Sequence, residues 1–257
     1  MLNLKKQIAG FCSVVAAAGA WASPTTFFIE DQAPSQAVTA PVLAKHNLFT
    51  SNLAASVQSY GFENRSNGDT APFNVNFAGS GSTTITATMQ GDGAVVNTAT
   101  AGRFNTTATP GTNYWRSKAG GVGTGVNAGS FSIAFNTAIS AFGFYATDVG
   151  DFEGGLSLVL SSASGPDVTM AVPNTVGAAS GSLLFFGFFD AAASYTRITF
   201  LTSGSSTTAD FFGFDDFIVA DRGQISAPGT IPEPTSLALA GLALAAAGFA
   251  ARRNRRA

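Results

Sequence analysis

The 257 residues carry only 11 % charged side chains, against roughly a quarter in ordinary soluble domains, and 29 Gly with abundant Ser, Thr and Ala fill the difference. Between residues 23 and 230, seven Lys and Arg stand against fourteen acids, a net −7 that argues against a nucleic-acid partner. The single Cys12 lies in an apolar N-terminal stretch, so neither a disulfide framework nor a thiolate metal site is available to the rest of the chain.

Met1 to Lys6 form a basic start, Ile8 to Ala20 an apolar run, and Ala20-Trp21-Ala22 a small-x-small site before Ser23. This order predicts a signal peptide over residues 1–22, removed by signal peptidase after Sec export. A lipoprotein reading fails because Phe11, not a small residue, precedes Cys12.

Short apolar runs then recur between Gly, Ser, Asn and Pro: Thr25 to Glu30, Phe73 to Phe77, Thr83 to Met89, Phe131 to Phe135, Ala138 to Thr147, Leu156 to Ser161, Leu183 to Phe189, Thr196 to Leu201 and Asp210 to Ala220. With no long 3.6-residue period among them, they predict an all-β domain over residues 23–225, an antiparallel β-sandwich of jelly-roll type. Ala33 to Ala55 fits least well and reads as a loop or short helix. Thr84, Thr86 and Thr88 share one strand face, but no second strand repeats them.

Phe-Gly-Phe occurs at Phe142 to Phe144, Phe186 to Phe188 and Phe212 to Phe214. Strand alternation puts both rings of each triplet on one face, and the Gly leaves space on the other for a close backbone or a neighbouring ring. Acids follow each triplet: Asp148, then Asp190, then Asp215 and Asp216. The last strand is apolar on both alternating sets, so its two aspartates cannot both enter oil and at least one needs a partner.

Tyr114-Trp115-Arg116 lies in a Gly- and Thr-rich stretch that reads as loop, where two aromatics and a guanidinium suit a glycan contact. The competing reading is that Trp115 caps the core. Catalytic signals are sparse. His46 is the only histidine and no Gly-x-Ser-x-Gly elbow accompanies it, so a hydrolytic triad is not expected. Asp148, Asp151 and Glu153 keep a secreted glycoside hydrolase as a third reading.

The chain ends with Ile231-Pro232-Glu233-Pro234, an uncharged run over 235–251 and Arg252-Arg253-Asn254-Arg255-Arg256. Seventeen helical residues cover about 25 Å, a short transmembrane helix, and the arginines would hold its end in the cytoplasm. Residues 226–257 therefore read as a linker and a membrane tail with a basic end at 252–256. This order of features resembles the PEP-CTERM sorting domain of Gram-negative bacteria, also called the ice-binding protein C-terminal domain. The resemblance implies an exosortase partner, transient inner-membrane anchoring and a final place at the cell surface or outside it.

Gly61-Phe62-Glu63, the stretch from Phe142 to Phe152, and Phe214-Asp215-Asp216-Phe217 are similar to exported domains that often carry such a tail. Those domains resemble carbohydrate-binding jelly rolls. The resemblance implies a structural calcium held by Glu63 and Asp216, with Asp148 and Asp151 as additions, the alternative being solvated turn acids and capping aspartates. The function this implies is binding or organising extracellular polysaccharide; a purely structural matrix protein or adhesin is the rival.

Overall fold

The structure is a computed structural model that describes residues 23–100, 102–107, 111–118, 130–151, 155–178, 180–203 and 211–226. The expected signal peptide, the linker beyond residue 226, the sorting tail and Glu153 lie outside the described residues. Among the described residues no helix is long and apolar enough to cross a membrane.

Thirteen strands among the described residues form two antiparallel sheets. The first runs β1 (Thr25–Asp31), β11 (Leu183–Phe189), β8 (Ala141–Thr147), β13 (Phe211–Ala220), β6 (Tyr114–Lys118) and β5 (Ala94–Val96), and β2 (Ser59–Tyr60) also pairs with β13. The second runs β10 (Val168–Val172), β9 (Gly155–Ser162), β12 (Tyr195–Ser203), β7 (Phe131–Ile139), β4 (Thr84–Gly91) and β3 (Phe73–Ala78). An 11-residue helix, α1 (Ala40–Thr50), lies within the poorly patterned segment.

Two of the expectations needed correction. Ala138 to Thr147 is not one strand: β7 ends at Ile139 in the second sheet and β8 begins at Ala141 in the first. Buried Ser140 makes the crossing, its hydroxyl bonded to the Ala193 carbonyl and the Ser194 hydroxyl. Tyr114 to Arg116 is likewise strand β6 rather than loop.

Alternation builds the core. Phe142, Phe144, Phe186, Phe188, Phe212 and Phe214 all face the space between the sheets, where they meet Phe131, Ile133, Leu158, Leu160, Ile198 and Phe200. Phe131 and Phe200, both from the second sheet, stack at 4.3 Å. Each fully buried Phe contributes about 1.5–3 kcal/mol relative to exposure, which makes this aromatic layer the main source of cohesion.

The triplet glycines face outward. Gly143 and Gly187 are neighbours in the β8–β11 register, and the ring of Phe49 from α1 lies on them. A Cβ at Gly143 would meet that ring at 2.7 Å and one at Gly187 at 3.0 Å. Phe49 and Val42 anchor the helix in a second apolar cluster with Tyr145, Leu183, Phe185 and Phe189. The third glycine, Gly213, is instead closed off by Thr147 and the Tyr114 ring. On the far side of the sandwich, Thr86 and Thr88 donate to Asn76 and Asn74 of β3, so the threonine row pairs with amides.

Candidate functional site

The outer face of the first sheet carries a groove beside α1, and a break in β13 makes it polar. Asp215 opposes Tyr145 and Ile218 opposes Gly143, so Asp216 and Phe217 share the single partner position between them. Such a bulge re-aims side chains. Asp216 takes a left-handed φ of 49°. Phe217 turns inward to the aromatic core, while both carboxylates meet the outer segment 105–107.

That segment is built to hold them. Asp215 Oδ2 accepts the Thr106 and Thr107 backbone N–H groups at 2.6 and 3.1 Å, and Asp215 Oδ1 accepts the Asp216 N–H at 2.8 Å. Thr106 Oγ1 lies 3.2 Å from Asp215 Oδ2 and 2.9 Å from Asp216 Oδ2, yet its one proton can serve only one carboxylate at a time. Thr107 Oγ1 donates to Asp216 Oδ1 at 3.1 Å. Burial, and after it the Asp216 charge, push the Asp215 acid well above the usual carboxylate range, against the opposing pull of its N–H donors. Burial, followed by the charges of Asp216 and Asp215, also pushes the Tyr145 phenol up.

Around this floor, Gln36, Leu43, His46, Ser59, Asn105 and Thr107 line a groove of about 630 Å³ that also includes Tyr145 and Asp216. His46 stacks on Tyr145 with ring centroids 5.5 Å apart and 15° between planes, and meets Phe185 edge-on. Gly61 and Gly111 both back onto Thr107 with no space for a Cβ. Two of the non-glycine residues with left-handed backbone, Gln36 and Asp216, line the groove. Conformations of this kind cost on the order of 1–3 kcal/mol each and persist where surrounding contacts enforce them.

The residues singled out in the sequence are dispersed. Exposed Glu63 accepts the Thr112 and Asn113 N–H groups at 2.9 Å each. Asp148 is buried, pairs with Arg103 at 3.1 Å and accepts the Gly181 N–H at 2.8 Å. Asp151 is buried in the turn that follows, and Asp216 alone of the four lines the groove. Among the described residues no three His, Cys, Asp or Glu side chains gather into a set suited to a metal ion. Three of the four are engaged separately, Glu63 by N–H groups, Asp148 by a guanidinium and an N–H, and Asp216 by threonine hydroxyls.

Trp115 is fully buried against Phe62, Phe73 and Phe131, and Tyr114 is 1 % exposed with its hydroxyl donated to the Thr98 carbonyl. Neither ring offers a face to a sugar; only Arg116 of that triplet is partly accessible. Sequence reasoning missed Tyr145, Thr106 and Thr107 and saw His46 only as a failed triad member. The signal within reach was the pair of adjacent acids in an apolar strand.

Fold and groove together define a two-sheet antiparallel sandwich with a polar, aromatic-edged groove on one outer face. Residues 230–256 match the PEP-CTERM protein-sorting motif. The tail is thus a sorting signal that indicates exosortase-dependent export with membrane-anchored sorting. No curated protein matches the chain. Among solved structures, the chain is similar to the K2 cleaved adhesin domain of Lys-gingipain, at 14 % identity and a TM-score of 0.38, over 63 % of this chain and 98 % of that one. It is also similar to the K1 cleaved adhesin domain of Lys-gingipain from Porphyromonas gingivalis W83, at 14 % and 0.34, over 65 % and 99 %. A third similarity is to TmCBM61 in complex with beta-1,4-galactotriose, at 12 % and 0.23, over 66 % and 92 %. At these scores none of the three bears on function.

Proposed function

We propose that the chain is a cell-surface or extracellular-matrix protein, sorted by an exosortase, whose jelly-roll-type sandwich binds exopolysaccharide in the groove beside α1. The observation that carries this reading is the pairing of a carboxylate, Asp216, with the stacked His46–Tyr145 rings in one open groove. Saccharides present vicinal hydroxyls and an apolar ring face. Asp216, Asn105, Gln36 and Ser59 supply acceptors and donors for the first, and the partly exposed His46 ring, backed by Tyr145, suits the second. Tyr145 adds a phenol hydroxyl to the lining. The strained backbone at Gln36 and Asp216 supports a preformed site.

The test is a calorimetric titration of the full chain, purified in mild detergent, with size-fractionated exopolysaccharide from the producing cells. Saturable binding that falls about tenfold in His46→Ala, the order of one aromatic contact, supports the reading. Absence of binding to the folded wild type would leave a structural matrix or adhesin role in its place.

A further inference from the structure

A second cleft lies at the β5–β6 end of the same sheet, apart from the groove. It holds about 210 Å³ and is lined by Asn67, Thr98, Thr100, Arg103, Tyr114 and Arg116. Alternation along β6 sends Trp115 into the core and leaves Tyr114 and Arg116 to line the cleft. Two guanidiniums line one small cleft of a domain whose net charge is −7.

Their situations differ. Arg103 is buried and tied to Asp148. Arg116 is partly exposed, and among the described residues it meets no carboxylate and no hydrogen-bond acceptor. Its guanidinium carbon lies 4.6 Å over the Phe211 ring. A ring against one face of a guanidinium fixes its plane while leaving the edge N–H donors for a planar two-oxygen acceptor. With Asp148 already matched by Arg103, the cleft retains one uncompensated positive charge among these groups.

We propose that this cleft is a subsite for an acidic saccharide, in which Arg116 receives the carboxylate of a uronic acid residue. The Thr98 and Thr100 hydroxyls and the Asn67 amide line the same cleft and can pair with sugar hydroxyls. A uronic acid presents its carboxylate beside ring hydroxyls, which suits a guanidinium set among hydroxyls and an amide. The space suits a single ring rather than an extended ligand. The inference is independent of the groove, because it uses none of the same residues.

The probe is trigalacturonate, titrated into the full chain, with its methyl ester, inorganic sulfate and triglutamate as comparison ligands. Saturable binding of trigalacturonate is expected, weakened about tenfold or more in Arg116→Gln, the scale of one charge-assisted contact, at unchanged melting temperature. The methyl ester should show a similar loss on the wild type, which tests the same contact without altering the protein. Undiminished binding by Arg116→Gln, equal binding of the ester, or equal binding of sulfate or triglutamate would overturn the assignment. Failure of the folded wild type to bind trigalacturonate would overturn it as well.

Discussion

Thr106 Oγ1 lies 2.9 Å from Asp216 Oδ2, joining two residues 110 positions apart and pinning segment 105–107 over the bulge of β13. The tie helps to fix the segment that supplies Asn105, Thr106 and Thr107 to the groove, together with the Thr106 and Thr107 N–H bonds to Asp215 and the Thr107 hydroxyl on Asp216. Thr106→Val keeps the shape and the backbone N–H bond but removes the hydroxyl from two carboxylates. The expected loss is about 1.5–3 kcal/mol of unfolding free energy, measured by urea denaturation.

The Asp215–Asp216 pair should give stability a pH dependence of known sign. Asp215 has a raised pKa in the folded protein, so the folded state holds a proton that the unfolded state releases above its ordinary pKa of about 3.9. Its contribution is fully present below that value and declines as pH rises towards the folded pKa. Asp31, lowered by the Ala33 N–H and the Thr39 hydroxyl, acts oppositely, its contribution being lost as pH falls. Asp216→Asn removes the neighbouring charge. The variant should therefore lose less stability than the wild type as pH rises from about 4 to 7, in parallel melts that share the Asp31 background.

Phe49 seats helix α1 on two glycines. Gly143→Ala or Gly187→Ala places a methyl against Phe49 and should cost about 1–3 kcal/mol through overpacking. Phe49→Ala should cost about 3–5 kcal/mol by itself. The double variant Gly143→Ala with Phe49→Ala should be more stable than the sum of the two losses, because the methyl then meets no ring. A denaturation cycle over the four proteins measures that coupling.

The sorting motif makes a cellular prediction. Replacing Pro232, Glu233 and Pro234 with Ala should leave an unprocessed, membrane-retained precursor. Immunoblots of membrane and external fractions would follow the shift in size and location.

Much of the sandwich was legible because period-2 patterning is local. The Phe-Gly-Phe triplets announced buried rings on one face and open space on the other, and Phe49 occupies that space over Gly143 and Gly187. Helix α1 was legible only as one of two options for its segment, since Val42 and Phe49 are its buried residues while Leu43 and Leu48 are exposed, and no apolar stripe forms. Strand β6 is five residues long in a Gly- and Thr-rich stretch and so read as loop, although the alternative that Trp115 belongs to the core matches its burial. The adjacent acids Asp215 and Asp216 showed that a partner was needed. They did not show which, because Thr106 and Thr107 arrive from more than a hundred residues away and a bulge has no fixed sequence mark.

The most direct measurement on the groove is hydrogen exchange of the full chain with and without exopolysaccharide from the producing cells. Occupation of the groove should slow exchange at residues 36–46 and 105–107, with no such change in Asp216→Asn at the same ligand concentration. Saturable binding with protection confined to other surfaces, or no protection at all, would contradict the groove as the saccharide site.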